Sequence, residues 1–110
     1  MAALSLVLAL SSNVLAQGQN YTAEITPATG NDTLHLSSDK DITVEAVLKW
    51  NEQDQRWDVM NDALWSPSST DPDGEIDIVL ANPAKASCKY KVQYEWYASP
   101  VPTVTITSTT

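Results

Sequence analysis

The sequence predicts an all-β, antiparallel fold, and three observations carry that prediction. Two segments alternate apolar and polar residues, Ile42–Trp50 and Lys89–Trp96. Shorter runs rich in Val, Ile and Thr recur around them. Pro27, Gly30, Pro67, Pro72, Gly74, Pro83, Pro100 and Pro102 punctuate the gaps. Successive side chains of a strand point to opposite faces of its sheet, so alternation marks a half-buried strand. Pro and Gly mark the turns between strands.

In chain order, Tyr21–Thr26 and Thr33–Leu36 read as short strands. Ile42–Trp50 follows, with Ile42, Val44, Ala46, Leu48 and Trp50 on one face. Asn51–Trp65 supports two readings. Trp57, Met60 and Leu64 fall at i, i+3 and i+7, which would line a helix behind an Asn51 cap. Alternatively Asn51–Gln55 is a hairpin loop and Arg56–Met60 its return strand. The hairpin is favoured, because Trp57 and Val59 continue the alternation. Ile76–Leu80 is a further strand. In Lys89–Trp96 the apolar face is Tyr90, Val92, Tyr94 and Trp96, while Lys89, Lys91, Gln93 and Glu95 meet water. Trp50 and Trp96 are thus expected in the core. Val101–Thr107, rich in Thr and Val, is the last strand. Strands of this length and spacing predict an immunoglobulin-like antiparallel β-sandwich of about seven short strands. A small barrel is the alternative.

Met1–Leu10 is an apolar run too short to span a bilayer, which takes roughly 20 residues. Val14-Leu15-Ala16 places small residues at the -3 and -1 positions of a signal-peptidase site. Residues 1–16 are therefore expected to be a secretory signal peptide and 17–110 a single mature domain. No Lys or Arg precedes the run, so the amino terminus alone supplies its positive charge. A buried or filament-type N-terminal helix is the competing reading.

The formal net charge is -8. Nucleic acid and anionic lipid surfaces are poor partners for such a chain, since phosphates require clustered Lys and Arg. Charge is also polarised. Glu52, Asp54, Asp58, Asp62, Asp71, Asp73, Glu75 and Asp77 face only Arg56 within their segment, whereas Lys85, Lys89 and Lys91 share a segment without acids. Cys88 is the sole cysteine, which excludes an internal disulfide and leaves a buried thiol or an intermolecular disulfide. Asn20-Tyr-Thr and Asn31-Asp-Thr are N-glycosylation sequons, expected to mark a glycoprotein if the host uses them.

Asp71, Asp73, Glu75 and Asp77 place carboxylates at every second position, a donor set that calcium, with its many oxygen ligands, could take. Asp-Pro-Asp-Gly is equally a turn. Trp57 and Trp65, flanked by Asp58 and Asp62, are the expected ligand-binding residues, since exposed indoles beside carboxylates grip sugars and anchor interfaces. His35 is the only histidine and stands between Leu34 and Leu36 without a motif, so no catalytic residue is expected. No cofactor beyond the possible calcium is indicated.

Trp50-Asn-Glu, Arg56-Trp57-Asp, Leu64-Trp65-Ser-Pro67 and Asp77-Ile-Val-Leu80 faintly resemble, in order, pieces of the extracellular domain of Cys-loop neurotransmitter receptors. In that family the Trp-x-Pro and Asp-Ile segments adjoin, whereas Ser68–Ile76 separates them here. A single cysteine also cannot close the family's disulfide loop, so no residue role is carried over. The expectation is a secreted, non-enzymatic module that binds an extracellular glycan or protein surface. The alternative is a self-assembling subunit of a fibre, pilus or surface layer, with calcium assisting.

Overall fold

The computed structural model describes residues 18–70, 74–97 and 101–110; the expected signal peptide, residues 1–16, lies outside them. The strands are β1 Gly18–Tyr21, β2 Thr33–Ser38, β3 Ile42–Asn51, β4 Arg56–Val59, β5 Trp65–Thr70, β6 Glu75–Leu80, β7 Tyr90–Trp96 and β8 Val104–Thr109. A short 3₁₀ turn, Asp62–Leu64, precedes β5. The strands form two antiparallel sheets, ordered β1-β7-β3-β4 and β5-β6-β2-β8. An all-β, sandwich-like architecture follows, as the alternation predicts.

Leu34, Leu36, Ile76, Ile78 and Leu80 of the second sheet meet Val47, Tyr90 and Val92 of the first in one buried cluster. All but Val47 come from the apolar face of an alternating strand, so in β2, β6 and β7 the pattern decides the inner face. Asn51–Arg56 closes the β3–β4 pairing, and the hairpin reading of this segment is the observed one.

The first strand is Gly18–Tyr21 where Tyr21–Thr26 is expected, with Ile25 left as a single bridge to Tyr90, and the last is Val104–Thr109 where Val101–Thr107 is expected. Two further features depart from the sequence reading. The first is β5, which runs through Pro67 on an edge of the second sheet. Its register shifts between Pro67 and Ser69, the kind of irregularity that lets an edge strand carry a residue with no N–H.

The second departure is a shift in β3. Val44 opposes Tyr94, but Ala46 opposes Gln93, so Glu45 is extra. Beyond it the alternation inverts: Val47, opposite Val92, points inward, while Leu48, opposite Lys91, points outward. Trp50 consequently lies on the outer face beside Trp57, not in the core. Trp96, opposite Ile42, keeps the inward side of β7 and stands 6.4 Å from the Tyr94 ring, but it is half-buried at the end of its strand and outside the core cluster where it is expected.

Buried Thr22 ties β1 into the sheet beyond Tyr21. Its hydroxyl accepts from the Val92 N–H at 3.0 Å and donates to the Ala23 carbonyl at 2.9 Å. Thr22→Val keeps the shape but strands the buried Val92 N–H. Such a loss costs about 1–3 kcal/mol. Urea unfolding of unglycosylated protein, which removes any effect of the sequon, should show that decrease.

Candidate functional site

The inversion after Glu45 gives the first sheet an outward face of aromatic rings and ammonium groups. Trp50 and Trp57 are a cross-strand pair, edge to face, with ring centroids 5.4 Å apart. Lys89 Nζ stands 5.1 Å from the Trp50 ring. Lys91 Nζ sits between two strands' aromatics, 4.5 Å from Tyr21 and 4.6 Å from Trp57. Leu48, opposite both Lys91 and Val59, is buried although it lies on this outer face. Tyr21 is 45% exposed and Val59 66%, so the rim of the face is open and apolar.

Each lysine–ring contact at an exposed site is worth about 0.5–1 kcal/mol. They matter here chiefly because they hold flexible side chains in place. Lys89 also reaches Glu24 at 3.8 Å, whereas Lys91 makes no ion pair among the described residues. Trp50 Nε1 donates to Glu52 at 3.2 Å. Toward the other end of the sheet, Glu45 and Glu95 share a hydrogen bond that pushes the Glu45 carboxyl above its ordinary range.

A cleft of about 750 Å³ opens at one end between the sheets, lined by Lys49, Asp58, Met60, Leu64, Asn82 and Tyr90 among others. Asp58 is held there by Arg56 Nε at 2.8 Å and Asn51 Nδ2 at 2.9 Å. Those bonds, Asn51's foremost, lower its pKa and keep the carboxylate charged.

The four residues expected to bind ligand are thereby separated. Trp57 lies on the outward face and Asp58 on the other side of the same strand, in the cleft. Asp62 is exposed on the 3₁₀ turn capped by Asn61. Trp65 opposes Leu80 in the second sheet and packs against the core, its Nε1 buried without a partner among the described residues. Tyr21, Trp50, Lys89 and Lys91 take the places beside Trp57.

A second polar cluster stands on the outer face of the other sheet. His35 Nδ1 contacts Asp77 Oδ1 at 2.5 Å and its Nε2 contacts Glu75 Oε1 at 2.8 Å. Ser37 donates to Glu75 Oε2 at 2.6 Å. These two carboxylates belong to the expected calcium set; Asp71 and Asp73 lie outside the described residues. Calcium there would have to compete with His35 and Ser37 for Glu75.

Only the doubly protonated imidazolium can donate to both carboxylates. The bond to Asp77 is the largest influence and raises the His35 pKa above its ordinary 6.5; burial opposes it, and the bond to Glu75 and the charges of both carboxylates add to the rise. The Ser37 bond, then that from His35, lowers Glu75 below its ordinary 4.5. A raised histidine stabilises the fold fully below its unfolded pKa and loses that contribution as pH climbs through the folded value. A depressed carboxylate contributes above its unfolded pKa and loses it as pH falls through the folded value. Stability from this cluster should thus plateau between pH 4.5 and 6.5. His35→Gln should remove the decline on the alkaline side, read as thermal midpoint against pH.

The remaining expected positions are also placed. Asn20 is exposed on β1, while Asn31 Nδ2 donates to Ser108 Oγ at 3.1 Å, a bond a glycan on that nitrogen would disturb. Cys88 is half-buried and packs against the core beside Tyr90, whose phenol is raised by burial first and by Cys88 second. Comparison with protein families, with curated proteins and with solved structures found no match to this chain.

Proposed function

We propose that this chain is a secreted, non-enzymatic module that binds an extracellular glycan or protein surface on the outward face of the β1-β7-β3-β4 sheet. One observation carries the proposal: Tyr21, Trp57 and Trp50 share an open face with two lysines seated on their rings. Aromatic residues with apolar bodies and fixed polar partners are the usual anchors of recognition surfaces. Trp57→Ala should abolish retention of ligand, in glycan-array or protein-panel binding, while circular dichroism stays unchanged. Trp65→Ala should instead lower stability with binding kept in the folded fraction. Normal binding by the Trp57 variant would place the site elsewhere.

We read the fold as an immunoglobulin-like variant. In support, β5-β6-β2 and β7-β3-β4 follow the order of the central strands of such a sandwich. Its first and last strands would then have exchanged sheets.

A second reading, a self-assembling subunit, is favoured by β8. Val104–Thr109 is an edge strand with neither charge nor proline, and such edges invite pairing with another chain. Light scattering with calcium and then with a chelator tests it, and Asp73→Asn should remove any calcium response. Loss of oligomers on reduction would implicate Cys88.

A further inference from the structure

We infer that the ligand of this face is an acidic polysaccharide, one whose sugar rings bear carboxylate or sulfate groups. The inference rests on the binding-face reading above and adds the chemistry of the ligand. Its basis is Lys91. Lys40, Lys49, Lys85 and Lys91 are the cations without an ion pair among the described residues, and of these four Lys91 alone is seated on aromatic rings. Arg56 is held by Asp54 and Asp58, and Lys89 reaches Glu24. Lys91 is seated between Tyr21 and Trp57 with no described carboxylate beside it.

The surroundings narrow the anion's nature. An ammonium donates hydrogen bonds and accepts none, and its bonds to a charged acceptor are stronger than those to a neutral hydroxyl, so Lys91 favours a sugar that brings an anionic group. Tyr21, Trp57 and Val59 supply half-exposed apolar area on which the C–H faces of pyranose rings can lie, area that a small inorganic anion would leave unused. Two lysines in a chain of net charge -8 are too few for nucleic acid. Because the rings already fix Lys91, an anion meets a positioned charge and little ordering cost remains. Of the acids near the face, Glu24 is engaged by Lys89 and Glu52 by the Trp50 indole, while Glu45 and Glu95 hold each other toward the other end of the sheet. Glu75 and Asp77 stand on the opposite sheet and engage His35, and exposed charges are largely screened beyond about 8 Å at physiological salt.

The test is surface plasmon resonance of the full chain at about 0.15 M salt, over polygalacturonate, dextran sulfate and uncharged dextran. Retention on one or both acidic polymers and not on dextran is expected; which polymer holds it assigns carboxylate or sulfate. Lys91→Met should weaken that binding about tenfold or more while lowering the thermal midpoint by no more than the loss of two exposed lysine–ring contacts allows. Lys91→Arg should restore it, and Lys40→Met, remote from the face, should leave it unchanged. Failure of both acidic polymers to bind, equal retention on dextran, or full binding by Lys91→Met overturns the inference. In the last two cases Trp57→Ala separates the readings. If it still abolishes binding, the face stands and only the acidic ligand falls; if it too binds normally, both fall.

Discussion

Leu34→Ala should be among the most damaging single changes in this chain, lowering stability by about 3–4 kcal/mol. Leu34 has no exposed surface and sits on β2, a strand flanked by β6 and β8. Its cross-strand partner Ile78 is equally buried, and both belong to the cluster that joins the two sheets. Truncation loses the transfer free energy of three carbon atoms and leaves a cavity that paired neighbours on both sides prevent from closing. Domains of this size have total stabilities of about 5–15 kcal/mol, so one residue removes a large share. Thermal unfolding should report a fall on the order of 15–25 °C. Val59→Ala, on the open rim of the other sheet, should change stability by no more than about 0.5 kcal/mol. A small effect at Leu34 would mean that the sheets are not packed through this cluster.

Most of the fold was legible because alternation reports burial directly. Leu34 and Leu36, Ile76 and Ile78, and Tyr90, Val92 and Tyr94 each occupy the face their pattern predicts. What alternation cannot report is a residue added in the middle of a strand. Ile42–Trp50 reads as one unbroken face, yet Glu45 inverts everything after it, because Val47 is apolar enough to take the inward place. Periodicity is blind to that change when both neighbours of the inverted site are apolar. β5 escaped notice for a different reason: Pro67 reads as a breaker, and only the edge position makes it tolerable.

The site was legible in part for the same reasons. Trp57 stood out as an indole among charged residues, and Lys91 was correctly set toward water. Their meeting required two non-local facts: the inversion that brings Trp50 outward, and the pairing that sets Tyr21 near Lys91 across β1 and β7. Trp65 looked equally exposed from its polar neighbours, but β5 turns it onto the core. His35 carried no motif because its partners are 40 and 42 residues away. The signal present was that His35, Ser37, Glu75 and Asp77 all occupy outward positions, which becomes a cluster only once β2 is known to pair with β6.

That pairing also explains why Gly74→Ala should cost about 2–4 kcal/mol, the second large effect expected here. Gly74 has φ +88, and an added Cβ would overlap the Ser38 carbonyl oxygen. A left-handed conformation costs a non-glycine residue about 1–2 kcal/mol by itself. The overlap adds to this, because the segment cannot slide freely. Ser38 N–H donates to the Gly74 carbonyl at 3.1 Å, and the Ser38 hydroxyl is tied to the Lys40 carbonyl at 2.6 Å. Gly30 provides the control. It has a similar φ of +95 but open space around the missing Cβ, so Gly30→Ala bears only the conformational cost. The excess of the Gly74 variant over the Gly30 variant in urea unfolding therefore measures the contact between the β6 entry and the β2 exit. Moving that entry also displaces Glu75, the next residue, from His35 and Ser37. Gly74→Ala should accordingly flatten the pH dependence of stability as His35→Gln does, whereas Gly30→Ala should leave it intact. Equal losses at the two glycines, with the pH profile unchanged in both, would show that β6 can shift against Ser38 and that the histidine cluster does not depend on how the strand begins.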